Sequence, residues 1–386
     1  MSPKIVYIVG GLWSANGMER VLTMKANYMA DQLGYDVNIV LTEEKGVPPF
    51  YPVSRKIKII NFNINFDDLY AMPILKRILS YFIKQRIYKK RLTEYLLKTK
   101  PDITISTIRR EINFINSIPD GSVKIGEIHF TRINYRNFYS KYLPSFINKQ
   151  ISNYWISKLI KELKKLAHFI VLTEEDKTYW PELTNISVIH NPISFWPNKI
   201  SDCTSKNVIA VGRYTYQKGF DMLIEAWKIV VTKNPGWKLY IYGSGDTTYY
   251  QNLIDNSEIK NSILCMPATP CIINEYIKSS ISVLSSRYEG FGMVITEAMA
   301  CGLPVVSFTC PCGPKDIIKN DVDGLWVENG SITDMAKKIN YLIKHNEKRI
   351  QMGKQARINV ERFRLEKIGL QWQKLIESAI EKNQTP

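Results

Sequence analysis

The sequence predicts an α/β protein with two parallel sheets, and both its length and its pattern of apolar segments support this. Short apolar runs alternate with helix-length amphipathic segments along the 386 residues, which is typical of strands joined by crossover helices. Single domains usually hold about 100–200 residues, so the chain is long enough for two. Apolar residues make up 45% and charged residues 23%, as in ordinary globular proteins. We therefore expect two sheets of about six strands each.

Each predicted strand is a short apolar run bounded by turn residues. In the first half these runs lie at 5–9, 37–41, 57–60, 103–106, 124–127 and 169–172. In the second half they lie at 207–211, 238–242, 263–266, 281–284, 304–307 and 324–327. Proline-containing turns separate the halves, so we expect an N-terminal domain of residues 1–195 and a C-terminal domain of residues 196–364. A last helix within 365–386 has no strand after it and is expected to cross back to the first domain.

Composition and charge exclude some classes of protein. No stretch approaches the roughly 18 uninterrupted apolar residues that a membrane span requires. Six cysteines in a chain with this much core to bury do not indicate a disulfide framework, so we expect a reduced, cytoplasmic protein. Residues 1–200 hold 29 Lys and Arg against 17 Asp and Glu, a balance of +12 out of +16. This half therefore favours an anionic partner: a phosphorylated acceptor, an acidic membrane surface or nucleic acid.

Residues 285–307 have the pattern of a ligand-binding turn between a strand and a helix. Gly290 and Gly292 let the backbone approach a ligand closely, and free amides at a helix start favour a phosphate. Glu289 precedes the predicted helix and Glu297 lies on it, at the carboxyl edge of the strands where α/β proteins bind ligands. Carboxylates there can accept hydrogen bonds from sugar or ribose hydroxyls. The alternative is an ordinary strand, loop and helix with two solvated glutamates.

Seven residues lie between Glu289 and Glu297, Gly-Phe-Gly follows the first, and Glu-Ala-Met-Ala-Cys-Gly-Leu-Pro-Val-Val begins at the second. The whole string resembles the signature of family 4 retaining glycosyltransferases. The resemblance implies the GT-B fold, two Rossmann-like domains with parallel sheets facing across a cleft. It also implies transfer of a hexose-type sugar from a nucleoside diphosphate to a glycan or lipid-linked acceptor, with retention. The resemblance is to metal-independent enzymes of surface polysaccharide synthesis, so we expect no metal and no other cofactor.

Residues 211–226 resemble the family's Gly-Arg and Lys-Gly element, which assigns Arg213 and Lys218 to the donor diphosphate. Cations are needed at a leaving diphosphate when no metal is present. The resemblance also assigns Glu289 to the hydroxyls of the donor sugar and Glu297 to the ribose. The other residues that it assigns to donor binding are Gly11, Gly290, Phe291, Gly292, Met293 and Val294. For Lys218 the alternative is a basic turn that opens a helix.

The loop after the first predicted strand, residues 9–21, resembles the family's first loop. This resemblance places Gly11 near the diphosphate and assigns Gly17, Glu19 and Arg20 to acceptor binding. The inserted Trp13 and Ser14 leave the path of the loop open.

Residues 126–130 resemble the strand-end segment whose histidine contacts the transferred sugar, a catalytic role that falls on His129. The alternative is a structural histidine. Arg132 and Arg136 follow closely and could hold an acceptor phosphate, or they could form a solvated basic face.

Two further features each have a simpler alternative. The basic amphipathic segment from Ile74 to Lys100 could lie on an anionic membrane, which would place the protein on the inner face, or it could pack on the N-terminal sheet. Asp321 and Asp323 form an Asp-x-Asp pattern, but they lie in a turn that leads into a strand, so we expect no metal there.

The sequence also allows two other functions. Another GT-B enzyme, such as a nucleotide-sugar epimerase or a phosphorylase, would share the fold. A nucleic-acid-binding protein would be supported by charge alone, since the sequence contains no recognised module, and we expect no nucleic acid partner.

Overall fold

The computed structural model describes residues 2–43, 45–134 and 144–384. It divides into two compact units, and each is treated by itself. The first unit comprises Met1–His190 and Leu365–Pro386, and the second comprises Asn191–Arg364. The division falls at His190, whereas the sequence placed it after residue 195.

The first unit contains a parallel sheet of seven strands in the order β3-β2-β1-β4-β5-β6-β7. The strands are β1 (Lys4–Val9), β2 (Asp36–Leu41), β3 (Lys58–Asn61), β4 (Ile103–Ser106), β5 (Val123–Glu127), β6 (His168–Val171) and β7 (Ile186–Val188). The helices of residues 2–190 are α1 (Gly17–Asp31), α2 (Ile74–Thr99), α3 (Ser145–Leu163) and α4 (Glu174–Thr178). Six of the strands match predicted runs within a residue or two. The expected count of six was one short, because β7 is a three-residue edge strand with half-buried side chains and no apolar run.

The second unit contains a parallel sheet of six strands in the order β10-β9-β8-β11-β12-β13. The strands are β8 (Asn207–Val211), β9 (Lys238–Gly243), β10 (Ile263–Pro267), β11 (Ile281–Leu284), β12 (Val305–Phe308) and β13 (Gly324–Val327). The helices are α5 (Phe220–Lys233), α6 (Thr248–Asp255), α7 (Ile272–Ile277), α8 (Met293–Ala300), α9 (Pro314–Ile317), α10 (Ile332–Lys344) and α11 (Asn346–Asn359). The predicted α/β class with two parallel sheets is confirmed.

Each unit buries its sheet between helices around a core of its own. Strands β4, β11 and β12 are buried along their whole length, as is typical of central strands in a parallel sheet that is covered on both faces. In the second sheet β8 lies between β9 and β11. From β8 the chain first builds one side of the sheet, through β9 and β10, and then returns to the other side of β8 to form β11. Ligands of open α/β sheets bind at the carboxyl ends of strands beside such a switch point. We therefore expect a ligand site at the loops after β8 and β11.

The last helix, α12 (Leu365–Gln384), belongs to the first unit although it follows the second along the chain. It packs on α1, with Gly369 against the ring of Tyr28 and the Tyr35 hydroxyl 3.3 Å from Glu377 Oε1. Among the residues that the structure describes, no helix is both long and apolar enough to cross a bilayer.

Candidate active site

Hydrogen bonds join the loop after β8 to the loop after β11. The amide of Arg287 donates to the Gln217 carbonyl at 2.8 Å, and Gln217 Nε2 donates to the Tyr288 carbonyl at 3.0 Å. Ser285 Oγ donates to the Lys218 carbonyl at 2.9 Å. These contacts cross 67–71 residues of sequence and fix the two loops against each other.

Gly219 makes this approach possible. Its φ of 61° is in the left-handed region, and a Cβ there would collide with the Ser285 carbonyl oxygen. The close approach of the two loops therefore requires glycine at position 219. The lysine is left at the open end of β8, where α5 begins.

Lys218 and Glu289 meet at the ends of the two strands. Lys218 Nζ lies 2.7 Å from Glu289 Oε1, and both side chains are largely buried. Ser286 Oγ donates to the same carboxylate oxygen at 2.6 Å. Within the described chain Glu289 Oε2 has no recorded partner, and an ammonium group can donate three hydrogen bonds. Both groups therefore keep capacity for a ligand.

The start of α8 presents backbone donors beside this pair. Gly292 is the residue before the helix and has a φ of 91°, a conformation that glycine adopts without strain. The amides of Gly292, Met293 and Val294 make no recorded hydrogen bond to any described residue. The amide of Glu289 donates to the Pro311 carbonyl at 3.1 Å, which holds the loop in place ahead of these amides. Gly290 is half-buried and Phe291 is buried in the same loop.

Glu297 and Arg213 complete the predicted set in the second unit. Glu297 is buried on α8, and Ser194 Oγ donates to its Oε1 at 2.7 Å. Arg213 follows β8 and is exposed, with no recorded side-chain partner among the described residues. The second unit thus pairs Lys218 with Glu289 beside a row of backbone donors, and it carries Arg213 on the loop after β8 and Glu297 on α8. Cations, carboxylates and free amides on these segments suit a phosphorylated ligand that carries hydroxyl groups.

The loop after β1 in the first unit is closed by its own side chains. The Trp13 ring fills the space beside Gly11 where a Cβ would otherwise lie, so the insertion shapes this loop around the indole. Gly17 begins α1, and the amide of Ser14 donates to the Glu19 carboxylate at 2.7 Å. The Arg20 guanidinium lies over the Tyr51 ring, 5.1 Å from its centre.

His129 lies in a buried polar cluster after β5. Its Nε2 is 3.4 Å from Glu127 Oε1, and Lys25 of α1 forms an ion pair with the same carboxylate oxygen. Lys25 also lies over the ring of Trp372 of α12, 4.6 Å from the ring centre. Burial lowers the pKa of His129 to about 4, and the positive charge of Lys25 contributes in the same direction. The imidazole is therefore neutral near pH 7.

Of the two arginines after His129, Arg132 forms an ion pair within the first unit. Both terminal nitrogens of Arg132 are bound to Glu182, at 2.6 and 2.8 Å, and its guanidinium lies over Trp180. Its charge is thus already matched within the first unit. Arg136 lies outside the described residues.

Among the described residues there is no group of three or more His, Cys, Asp or Glu side chains placed to hold a metal ion. Asp323 of the Asp-x-Asp pattern is buried, accepting from the Lys319 amide at 2.7 Å and from Asn359 Nδ2 at 2.8 Å. It therefore stabilises the turn before β13.

Sequence reasoning missed several polar partners of the site residues. They are Ser286 on Glu289, Ser194 on Glu297, and Lys25 and Glu127 beside His129. Ser286 lay inside the stretch already singled out, three residues before Glu289. Ser194 and Lys25 are distant in sequence from the groups that they contact, so no spacing indicated them.

Two units of this kind, each built on a parallel sheet, define a protein of the GT-B fold class. A family model described as glycosyl transferases group 1 matches residues 196–359. The chain is 31% identical over 380 residues to an uncharacterized glycosyltransferase of Haemophilus influenzae, covering 97% of this chain and 99% of the relative. It is 25% identical over 389 residues to the amylovoran biosynthesis glycosyltransferase AmsD of Erwinia amylovora, with 97% and 99% covered.

The fold is also that of a solved structure, Staphylococcus aureus TarM in complex with fondaparinux, α-GlcNAc-glycerol and UDP. The TM-score is 0.73 at 19% sequence identity, with 97% of this chain and 99% of TarM covered. The 31% identical relative, which matches nearly the whole chain, and the family model together show that the chain belongs to the group 1 glycosyltransferases. The resemblance drawn from the sequence is confirmed at this level, and so is the GT-B fold.

Proposed function

We propose that this glycosyltransferase moves a hexose-type sugar from a nucleoside diphosphate sugar to a glycan or lipid-linked acceptor in surface polysaccharide synthesis. It does so as a family 4 enzyme, with retention and without a metal or other cofactor, on the inner face of the membrane. AmsD is an amylovoran biosynthesis enzyme, and TarM was solved with UDP and a sugar-bearing glycerol, which supports this class of donor and acceptor.

One observation carries the proposal: Lys218 Nζ lies 2.7 Å from Glu289 at the carboxyl ends of neighbouring strands, beside the amides that open α8. Lys218, Arg213 and these amides are placed to take the charge that develops on the leaving diphosphate. Glu289 keeps a carboxylate oxygen for the hydroxyls of the donor sugar, and Glu297 serves the ribose. With the diphosphate stabilised in this way, the reaction needs no metal ion.

His129 keeps the role that the family resemblance assigns to it, contact with the transferred sugar. A neutral imidazole can donate one hydrogen bond and accept another, which suits a hydroxyl group. Gly11, Gly17, Glu19 and Arg20 also keep their proposed roles in the loop after β1. For Arg132 the pair with Glu182 favours a structural role.

The experiment is a thermal-shift screen of nucleotide sugars in the presence of a chelator. A uridine or guanosine diphosphate sugar should raise the melting temperature, because a ligand at about a hundredfold excess over its Kd stabilises the folded state by about 2.7 kcal/mol. The Lys218→Ala variant should lose this shift, since it removes a cation from the diphosphate.

Lys228→Ala is the matched control. Lys228 forms an ion pair of the same length, 2.7 Å, with Glu225 on the surface of the same unit, so its removal should leave the nucleotide-sugar shift unchanged. Equal stabilisation of the Lys218→Ala variant and the wild type would overturn the assignment. A shift that appears only when a divalent cation replaces the chelator would overturn its metal-independent part.

A further inference from the structure

We propose that the outward face of the first half of α2 docks on an anionic phospholipid bilayer. This face, called the α2 face below, consists of Leu75, Ile78, Leu79, Phe82, Ile83, Arg86, Lys89 and Lys90. The inference deepens the membrane location in the proposed function. It does not depend on the donor site, so the two can fail separately.

The apolar residues of the α2 face are strongly exposed. Leu75 is 85% exposed, and Leu79 and Phe82 are each 65% exposed. The buried side chains of α2 are Tyr88, Leu92 and Leu96, all in its second half. Soluble proteins rarely expose such a contiguous apolar surface unless it binds something.

Contacts on the opposite side of the helix fix this orientation. Arg77 donates to the carbonyls of Met72 and Tyr70, and Lys84 Nζ donates to the Ile64 carbonyl at 2.6 Å and lies 3.1 Å from Asp68. A rotation that buried Leu75 and Phe82 would break these bonds and expose Tyr88. The apolar side chains therefore point outward, because the hydrogen bonds of Arg77 and Lys84 hold the opposite side of the helix against the protein.

Charge then identifies the occupant. The α2 face changes along the helix from apolar to basic, with Arg86, Lys89 and Lys90 exposed beyond Phe82 and Ile83. Leu75 and Lys90 are separated by about 22 Å along the axis at 1.5 Å per residue. Across Ile74–Thr99 there are eight Lys and Arg and one acidic residue, Glu94. An apolar end that enters the acyl boundary, followed by basic residues at the headgroups, fits an anionic leaflet.

The neighbouring helix α3 also has exposed aromatic residues. Both α2 and α3 pack on the turn Arg110–Asn113, and α3 exposes Phe146 and Tyr154, 62% and 65%, together with Lys149. Aromatic residues of this kind are typical of the membrane interface. A second copy of the chain fits less well, because a two-fold contact through the α2 face would bring like charges together.

The test is co-sedimentation of the full chain with vesicles of phosphatidylcholine alone or mixed equally with phosphatidylglycerol. The wild type should bind the mixed vesicles, and added salt should weaken binding. Replacing Arg86, Lys89 and Lys90 together by Gln should weaken binding about a hundredfold, at about 1 kcal/mol for each charge. Replacing Leu75, Leu79 and Phe82 together by Ser should weaken it at least as much, through lost apolar burial.

The control replaces exposed apolar residues outside the α2 face, Val47, Tyr249 and Ile358, by Ser, and it should bind vesicles like the wild type. All three variants should retain the nucleotide-sugar thermal shift, which shows that the donor unit is folded. The inference is overturned if the wild type fails to bind mixed vesicles or if the α2-face variants bind as well as the wild type does. It is also overturned if the wild type is a dimer in solution that the Ser variant of the α2 face dissociates.

Discussion

At His129 burial and charge act on a single ionisable group. Burial lowers its pKa to about 4 from an ordinary value of 6.5; Glu127 opposes this, and Lys25 and Arg109 reinforce it. The unfolded chain therefore binds a proton at this residue more readily than the folded protein does. A depressed folded-state pKa contributes stability that is fully present above pH 6.5 and is lost as the pH falls towards 4.

We predict that His129→Asn flattens the pH dependence of stability between pH 6.5 and 4. The shift of about 2.5 units corresponds to at most about 3 kcal/mol over this window. Urea unfolding of the wild type and the variant at several pH values measures how the free energy of unfolding depends on pH.

His345→Asn, at an exposed histidine in the second unit, is the control and should keep the wild-type slope. A variant at position 129 with an unchanged slope would show that the buried imidazole does not titrate as described. The same neutrality means that His129 would act on a sugar through hydrogen bonds rather than as an acid.

At the scale of elements, the packing of α12 on α1 includes a close contact at a glycine. Gly369 faces the ring of Tyr28 on α1, and a Cβ at this position would collide with that ring. Helix propensity alone favours Ala over Gly by about 1 kcal/mol. Packing opposes the substitution of Ala for Gly here, because overpacking a close contact costs about 1–3 kcal/mol.

We predict that Gly369→Ala destabilises the protein by about 1–2 kcal/mol, against its helix propensity. Gln371 lies two residues further on α12 and is exposed, so Gln371→Ala should be nearly neutral. Denaturant unfolding of both variants compares them. A Gly369→Ala protein more stable than the wild type would mean that α12 does not pack on α1 in this way.

Elements with a strong local signal could be predicted from the sequence, and long-range contacts could not. Strands such as β11 and β12 are buried throughout, so their apolar runs stand out, whereas the half-buried β7 has no such run. The sequence indicated Lys218 and Glu289 as site residues through their motifs. Their ion pair depends on the pairing of β8 with β11 across 71 residues, which no local pattern contains.

The same limit applies to α2. Its apolar spacing predicted an amphipathic helix but left two interpretations, packing on the sheet or facing a membrane. The second half of α2 packs in the core through Tyr88, Leu92 and Leu96. The bonds of Arg77 and Lys84 to preceding carbonyls determine which side of the first half faces outward, and the binding of that side to a membrane stays a prediction.

At the scale of the whole molecule, each unit has a buried hydrophobic core, and among the described residues these two cores share no residue. One core lies in the first unit and includes Leu92, and the other lies in the second unit and includes Leu223, and both side chains are fully buried. The proposed donor contacts Lys218, Glu289 and the start of α8 all belong to the second unit. Nucleotide binding should therefore act chiefly on the stability of one core.

We predict that uridine diphosphate, at about a hundredfold excess over its Kd, raises the calorimetric transition of the second unit by about 5–10 °C. Leu223→Ala and Leu92→Ala identify the transitions, because each removes buried contacts worth about 2–5 kcal/mol from one core. The nucleotide should raise the transition that Leu223→Ala lowers and have much less effect on the one that Leu92→Ala lowers. The reverse pattern would place the nucleotide on the first unit, and the assignment of Lys218 and Glu289 to the diphosphate and the donor sugar would then be wrong.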